Sequence, residues 1–264
     1  MKKLYKVIAL MLAVALGVLA FAACKPAEQA AGTPNIDKIK KAGKLVMLTN
    51  AAFAPFEYLG ENNEVAGVDV EIAQAIADEI GVKLEVVDMD FDGIIMAVQS
   101  GKGDLGVAGI TADDERRQNV DFSVNYVDAA QVIIVPEGSA IKSAADLAGK
   151  NIGVQMGTTG DTYVTDEVGA GQVMRYKTGP DAGAELANGK IDAVVIDEMP
   201  AKQIAEANKG LIVLEEPLTE EQYAIALKKD TPDLKAVVDK VVQKMVDDGT
   251  IAKLIEEHKV ASGS

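Results

Sequence analysis

From Ile36 onward, short apolar runs alternate with segments whose apolar residues recur every three or four positions. Lys44 to Thr49 reads as a strand. Val70 to Ile80 reads as a helix, with Ile72, Ala73, Ile76, Ala77 and Ile80 on one face. Asp69 suits its N-cap and Gly81 the residue past its end. Leu84 to Val87 is the next strand, Gly93 to Gln99 a short helix, and Leu105 to Ala108 a strand. This alternation predicts a mostly parallel sheet with helical crossovers. The rhythm then restarts. Strands are predicted over Gln131–Val135, Asn151–Val154, Val173–Tyr176, Ile191–Ile196 and Leu211–Leu214. Helices fall after Ser143, from Thr159, over Ala182–Ala187 and over Met199–Asn208. Ser143-Ala144-Ala145-Asp146 has the form of a capping box.

The tail does not fit the second series. A strand over Tyr223–Leu227 and helices over Pro232–Asp247 and Ile251–Lys259 find no partner there. A return of the chain to its first half accounts for them. The expected organisation is two lobes, 36–127 plus 223–264 and 128–222, joined by crossings near Tyr126–Ala130 and Glu215–Tyr223.

The first residues follow another rule. Lys2, Lys3 and Lys6 precede an apolar run from Ile8 to Phe21, too short and wrongly flanked for a membrane span. Residues 1–23 read as a signal peptide. Phe21-Ala22-Ala23 before Cys24, the only cysteine, resembles a bacterial lipobox, with Phe where Leu is usual. Cleavage after Ala22 of an Ala-x-Ala site is the other reading. One cysteine allows no internal disulfide. Residues 24–35, rich in Ala, Pro, Gly and Gln, read as a flexible tether. The formal charge of −15 argues against nucleic acid and against anionic lipid headgroups as partners. Without Trp, and with few other aromatics, the core must be aliphatic.

Several motifs then occur in a telling order: Asn50-Ala51-Ala52-Phe53-Ala54-Pro55-Phe56-Glu57-Tyr58, Gly67-Val68-Asp69-Val70, Asp90-Phe91-Asp92-Gly93, and Gly109-Ile110-Thr111 through Arg116. Val120-Asp121-Phe122-Ser123, Gly157-Thr158-Thr159-Gly160 and Val195-Ile196-Asp197-Glu198 follow. In this order the chain resembles the polar amino-acid family of bacterial extracellular solute-binding proteins. The resemblance implies an α/β fold of the two-lobed periplasmic-binding-protein type (type II), with two hinge crossings.

The chemistry of these positions suits a zwitterion. A carboxylate calls for a planar, permanently charged fork, which Arg116 supplies at the position the family uses. By resemblance, Thr111 helps hold the ligand carboxylate and the Gly109 carbonyl its ammonium, beyond the end of a strand. The amides of Gly157-Thr158-Thr159-Gly160, before a helix, can meet the same carboxylate. The resemblance places Asp197, beyond a buried strand, at the ligand's α-ammonium, and Phe53 and Phe91 at the positions that pack on its side chain. Asn50 and Gln155 stand where relatives that favour basic ligands or glutamine carry charged residues, and two amides favour a polar side chain such as glutamine or arginine. Glu198 or Asp161 could neutralise a guanidinium. Each residue also has an ordinary structural role: Thr111 and Asp197 as N-caps, Arg116 as a surface cation, the phenylalanines as local packing.

Asp88 to Gly93 resembles the start of a calcium loop, but position twelve is Gln99, where a bidentate Glu is required. Neither metal nor cofactor is expected, and with a lone His258 the sets used by hydrolases and zinc enzymes are missing. The expected role is that of a monomeric binding protein outside the cytoplasmic membrane, lipid-anchored through Cys24, that delivers a free L-amino acid to a separate ABC permease. The rival readings are a dehydratase of the cyclohexadienyl type, with Glu198 as proton donor, and a sensory module.

Overall fold

The structure is a computed structural model that describes residues 33–262. The signal-peptide, tether (24–32) and Cys24 expectations lie outside these residues. Helix α1 (Pro34–Ala42) leads into β1 (Lys44–Thr49), β2 (Ala52–Phe53), β3 (Glu57–Leu59) and β4 (Val65–Ala66). Then come α2 (Val68–Ile80), β5 (Lys83–Asp88), α3 (Ile94–Gln99), β6 (Leu105–Gly106) and β7 (Asp121–Phe122). The second half holds β8 (Val127–Ala129), β9 (Gln131–Pro136), β10 (Asn151–Gln155), α4 (Thr159–Asp166), β11 (Gln172–Tyr176) and α5 (Gly179–Ala187). It continues through β12 (Ala193–Asp197), α6 (Glu198–Ala207) and β13 (Leu211–Val213). Strands β14 (Glu221–Tyr223) and β15 (Ala226–Leu227) precede helices α7 (Pro232–Asp247) and α8 (Thr250–Ser262).

Two five-stranded sheets result, ordered β5-β1-β6-β15-β7 and β11-β10-β12-β9-β13. Strand β15 runs antiparallel to β6 and β7, and β9 antiparallel to β12 and β13, whereas β1 is parallel to β5 and β6 and β10 to β11 and β12. The antiparallel strand in each sheet is the one laid down just after the chain crosses from the other. The two crossings pair with each other as a ribbon, β8 against β14, with Val127 opposite Tyr223.

Burial on both faces explains the unbroken apolar runs. In β1, Leu45 and Met47 enter one apolar cluster and Leu48 another. In β9, Val132 and Ile134 face that first cluster, while Ile133 and Val135 face a third. The first cluster also takes in Tyr126 and Tyr223 at the ribbon, so apolar packing is continuous between the sheets.

Three expectations need correction. The cap of α2 is Gly67, and Asp69 lies inside the first turn, fully buried. Asp69 instead accepts from the Gly109 amide at 2.9 Å and from the Tyr126 hydroxyl at 2.8 Å. The Tyr223–Leu227 strand is two strands, one in the ribbon and one in a sheet. The bound expected for the tether runs too far, because Pro34 and Asn35 already belong to α1, and Asp233 of α7 holds the Asn35 amide at 2.9 Å. The Gly81 stop of α2 and the Ser143–Asp146 capping box are as expected.

Candidate binding site

The carboxyl ends of the two sheets meet around a small cavity. Its walls are Phe53, Phe91, Gly109, Thr111, Arg116, Thr158, Thr159 and Asp197, and its volume is about 10 Å³. That space holds about one water molecule, so admitting a larger molecule requires these walls to move apart.

Arg116 lies in a single turn after Thr111, its side chain only 12% exposed. One guanidinium nitrogen donates to the Thr111 carbonyl at 2.9 Å and another to the Gly157 carbonyl of the opposite sheet at 3.0 Å. The Asp113 carboxylate lies 3.4 Å from Nε, and the Phe91 ring sits 5.5 Å from the guanidinium carbon. Burial lowers its pKa, and Asp113, Glu221 and Asp197 oppose that shift. A buried cation thus lines the cavity, in the field of Asp113, Glu221 and Asp197.

Glycine is required at two points of this wall. Gly109 has φ +53°, and a Cβ there would stand 2.6 Å from the Phe53 ring. Gly157 has φ +79°, with Asp92 2.9 Å from where a Cβ would be.

Asp197 ends β12 and is buried. Its backbone caps α6, but its side chain makes no capping bond. The carboxylate accepts from the Tyr223 hydroxyl across the ribbon. Burial raises its pKa to about 6, opposed by the Tyr223 hydrogen bond, and Glu221 pushes it further up. Thr158 spends its hydroxyl on the fold, donating to the Gln155 carbonyl at 2.8 Å and accepting from the Asp161 amide as the cap of α4. Thr159 donates to Glu221 at 2.8 Å and accepts from Gln131 at 3.1 Å.

Asn50 and Gln155 stand beside the cavity rather than on its wall, bonded to each other between the sheets at 3.0 Å. The Gln155 amide nitrogen also donates to the Lys177 carbonyl at 3.3 Å, and both its partners are acceptors, which fixes the amide orientation. Its Oε1 is buried and meets no donor. The two acids considered for a guanidinium are engaged elsewhere: Asp161 with Arg175 at 2.9 Å, Glu198 with Lys202 on the exposed face of α6. Glu198 is off the cavity wall, so the residue named for the dehydratase reading does not line this site.

Sequence reasoning missed Gln131, Glu221 and Tyr223, which contact Thr159, Thr111 and Asp197 from far along the chain. It also missed the buried pair Glu57 and Asp69. Burial, then the charge of Asp69, holds the Glu57 pKa well above the usual carboxylate range. Both Glu57 carboxyl oxygens are buried, and neither finds a donor. No group of three or more metal-ligating side chains occurs among the described residues, and no described helix is long and apolar enough to cross a membrane. In the loop that resembles a calcium site, Asp88 accepts from the Ala51 amide and Asp90 pairs with Lys177.

Residues 45–260 match the model of bacterial extracellular solute-binding proteins, family 3. The chain belongs to that family. It is 34% identical over 244 residues to the arginine-binding extracellular protein ArtP of Bacillus subtilis, covering 90% of this chain and 94% of that protein. Among solved structures it resembles the amino acid ABC transporter substrate-binding protein AbpA of Streptococcus pneumoniae bound to L-arginine. The TM-score is 0.83 at 37% identity, with 86% of this chain and 99% of that one covered. It is also similar to the ancestral amino acid-binding protein AncCDT-1, described as a precursor of cyclohexadienyl dehydratase, with a TM-score of 0.79 at 35% identity and coverage of 84% and 98%. The fold is therefore the two-lobed type II architecture with two crossings.

Proposed function

We propose that this chain captures a free L-amino acid outside the cytoplasmic membrane and hands it to a separate ABC permease. Arginine is the preferred ligand and glutamine the second. The observation that carries this reading is the pair formed by Arg116 and Asp197 on the wall of one cavity, opposite charges matched to the two ends of a zwitterion. Gly109 and Thr111 extend the same wall, and Phe53 and Phe91 supply aromatic faces for a side chain.

The choice of arginine rests on two supports. Gln155 Oε1 is a buried acceptor in need of an N–H donor, and an aliphatic or acidic side chain leaves it unpaired. ArtP and AbpA are named for, or bound to, arginine. Competitive calorimetry against glutamine, histidine, cystine, leucine and aspartate tests the choice. Arginine or glutamine should displace the rest, and leucine or aspartate displacing both would refute it.

The two sheets then act as lobes, 36–127 plus 223–264 and 128–222, that part and close about the ribbon of β8 and β14. The protein works as a monomer held to the membrane by lipid on Cys24. Intact mass of membrane-extracted protein should show that lipid, and a soluble product cut after Ala22 would refute the anchor.

A further inference from the structure

We propose that Glu221 is a tethered competitor for the carboxylate end of the ligand and thereby sets the affinity of the site. The Oε2 atom of Glu221 accepts from the Thr111 hydroxyl at 2.6 Å and the Thr159 hydroxyl at 2.8 Å, one donor from each lobe. Its Oε1 accepts from Thr219 at 2.8 Å, and Thr219 in turn accepts from the Gln131 amide. Thr111 and Thr159 line the cavity together with Arg116, whereas Glu221 is not on that wall. It approaches from a groove of about 870 Å³ on the hinge side, which Thr111 and Thr159 also border.

A hydroxyl has one proton to donate. While Thr111 and Thr159 donate to Glu221, neither can donate to an incoming anion. Glu221 presents the same chemical group as the ligand's α-carboxylate, in the field of the same Arg116. The inference rests on the amino-acid reading above: a ligand carboxylate must take these hydroxyls and send Glu221 back into the groove, which is wide enough to receive it. Until then Glu221 bridges the lobes as a ligand would, and favours a closed form that does not admit one.

Glu221→Gln keeps the length of the side chain and removes its charge. L-arginine should then bind about tenfold more tightly, because the apparent Kd is the intrinsic Kd divided by the fraction of competent molecules. Without ligand, scattering should give the variant a larger radius of gyration than the wild type. Glu221→Asp, which is too short to reach both threonines, should act in the same direction while keeping the charge, and it carries the comparison if the Gln variant folds poorly. Equal or weaker arginine binding in both variants would overturn the proposal. If the wild type bound no amino acid at all, the amino-acid reading would fail by itself. The ligand-free scattering would still decide on the bridge: an unchanged radius overturns it, a larger one supports it.

Discussion

Asp197 must be ionised to hold an ammonium, yet it is buried and titrates at about 6. A bound ammonium favours the charged form, so ligand binding near pH 6 should expel a proton, and affinity should fall as pH drops below about 6. Calorimetry in buffers of different ionisation enthalpy should show this release at pH 6, less of it at pH 8, and none in Asp197→Asn. The same shift acts on stability. Asp69, also raised to about 6 by burial, and Asp197 both hold protons in the folded state that the unfolded chain loses near pH 4. The folded state therefore binds more protons between about pH 4 and 6, and stability falls as pH rises through that window. Each group costs on the order of 3 kcal/mol above it. The ligand-free protein should melt higher at pH 5 than at pH 7.5, and Asp69→Asn should flatten the slope. For Arg116→Ala, a ligand anion loses its buried partner, at a cost of about 2–5 kcal/mol in affinity with the fold retained. Unchanged affinity would remove Arg116 from the site. Arg116 and Asp197 were legible because each sits in a motif of its own. Glu221 and Gln131 were not, since their partners are brought close only by the crossings.

At the scale of elements, regular burial made the fold readable. Strands β1, β9 and β12 are apolar on both faces, and α2 repeats its apolar residues at helical spacing up to a left-handed Gly81. Strands β2, β3 and β4, two or three residues long, are too short for a pattern. The split between β14 and β15 was hidden for a different reason. Tyr223 to Leu227 are all buried, so the apolar run continues through Ala224 and Ile225 while the hydrogen-bond partner changes from ribbon to sheet. Helix α4 is a local test. Thr158 caps it, and Thr158→Ala should cost about 1 kcal/mol in urea denaturation, largely restored by Thr158→Ser. If Thr158→Ala left stability unchanged and weakened ligand binding alone, the hydroxyl would belong to the ligand rather than to the cap.

For the whole molecule, the proposed closure is what would link fold to transport. The bonds Arg116 to Gly157, Asn50 to Gln155, Asp90 to Lys177 and Tyr223 to Asp197 all join parts that belong to different sheets or to the ribbon. A ligand that contributes to the same seam shifts the population toward the closed form only if it binds that form better. Saturating arginine should therefore reduce the radius of gyration of the Glu221→Gln variant, whose ligand-free form lacks the bridge, and no change there would count against hinge closure. The proposed recognition is narrower: Arg116 takes one charged end of an amino acid and Asp197 the other. The most direct measurement is a calorimetric comparison of L-arginine with agmatine, which keeps the guanidinium and the amine but lacks the carboxylate. One arginine should bind per chain, and agmatine should bind more weakly by at least about 30-fold, the lower end of the cost of an unpaired buried charge. Equal affinity for the two would contradict it.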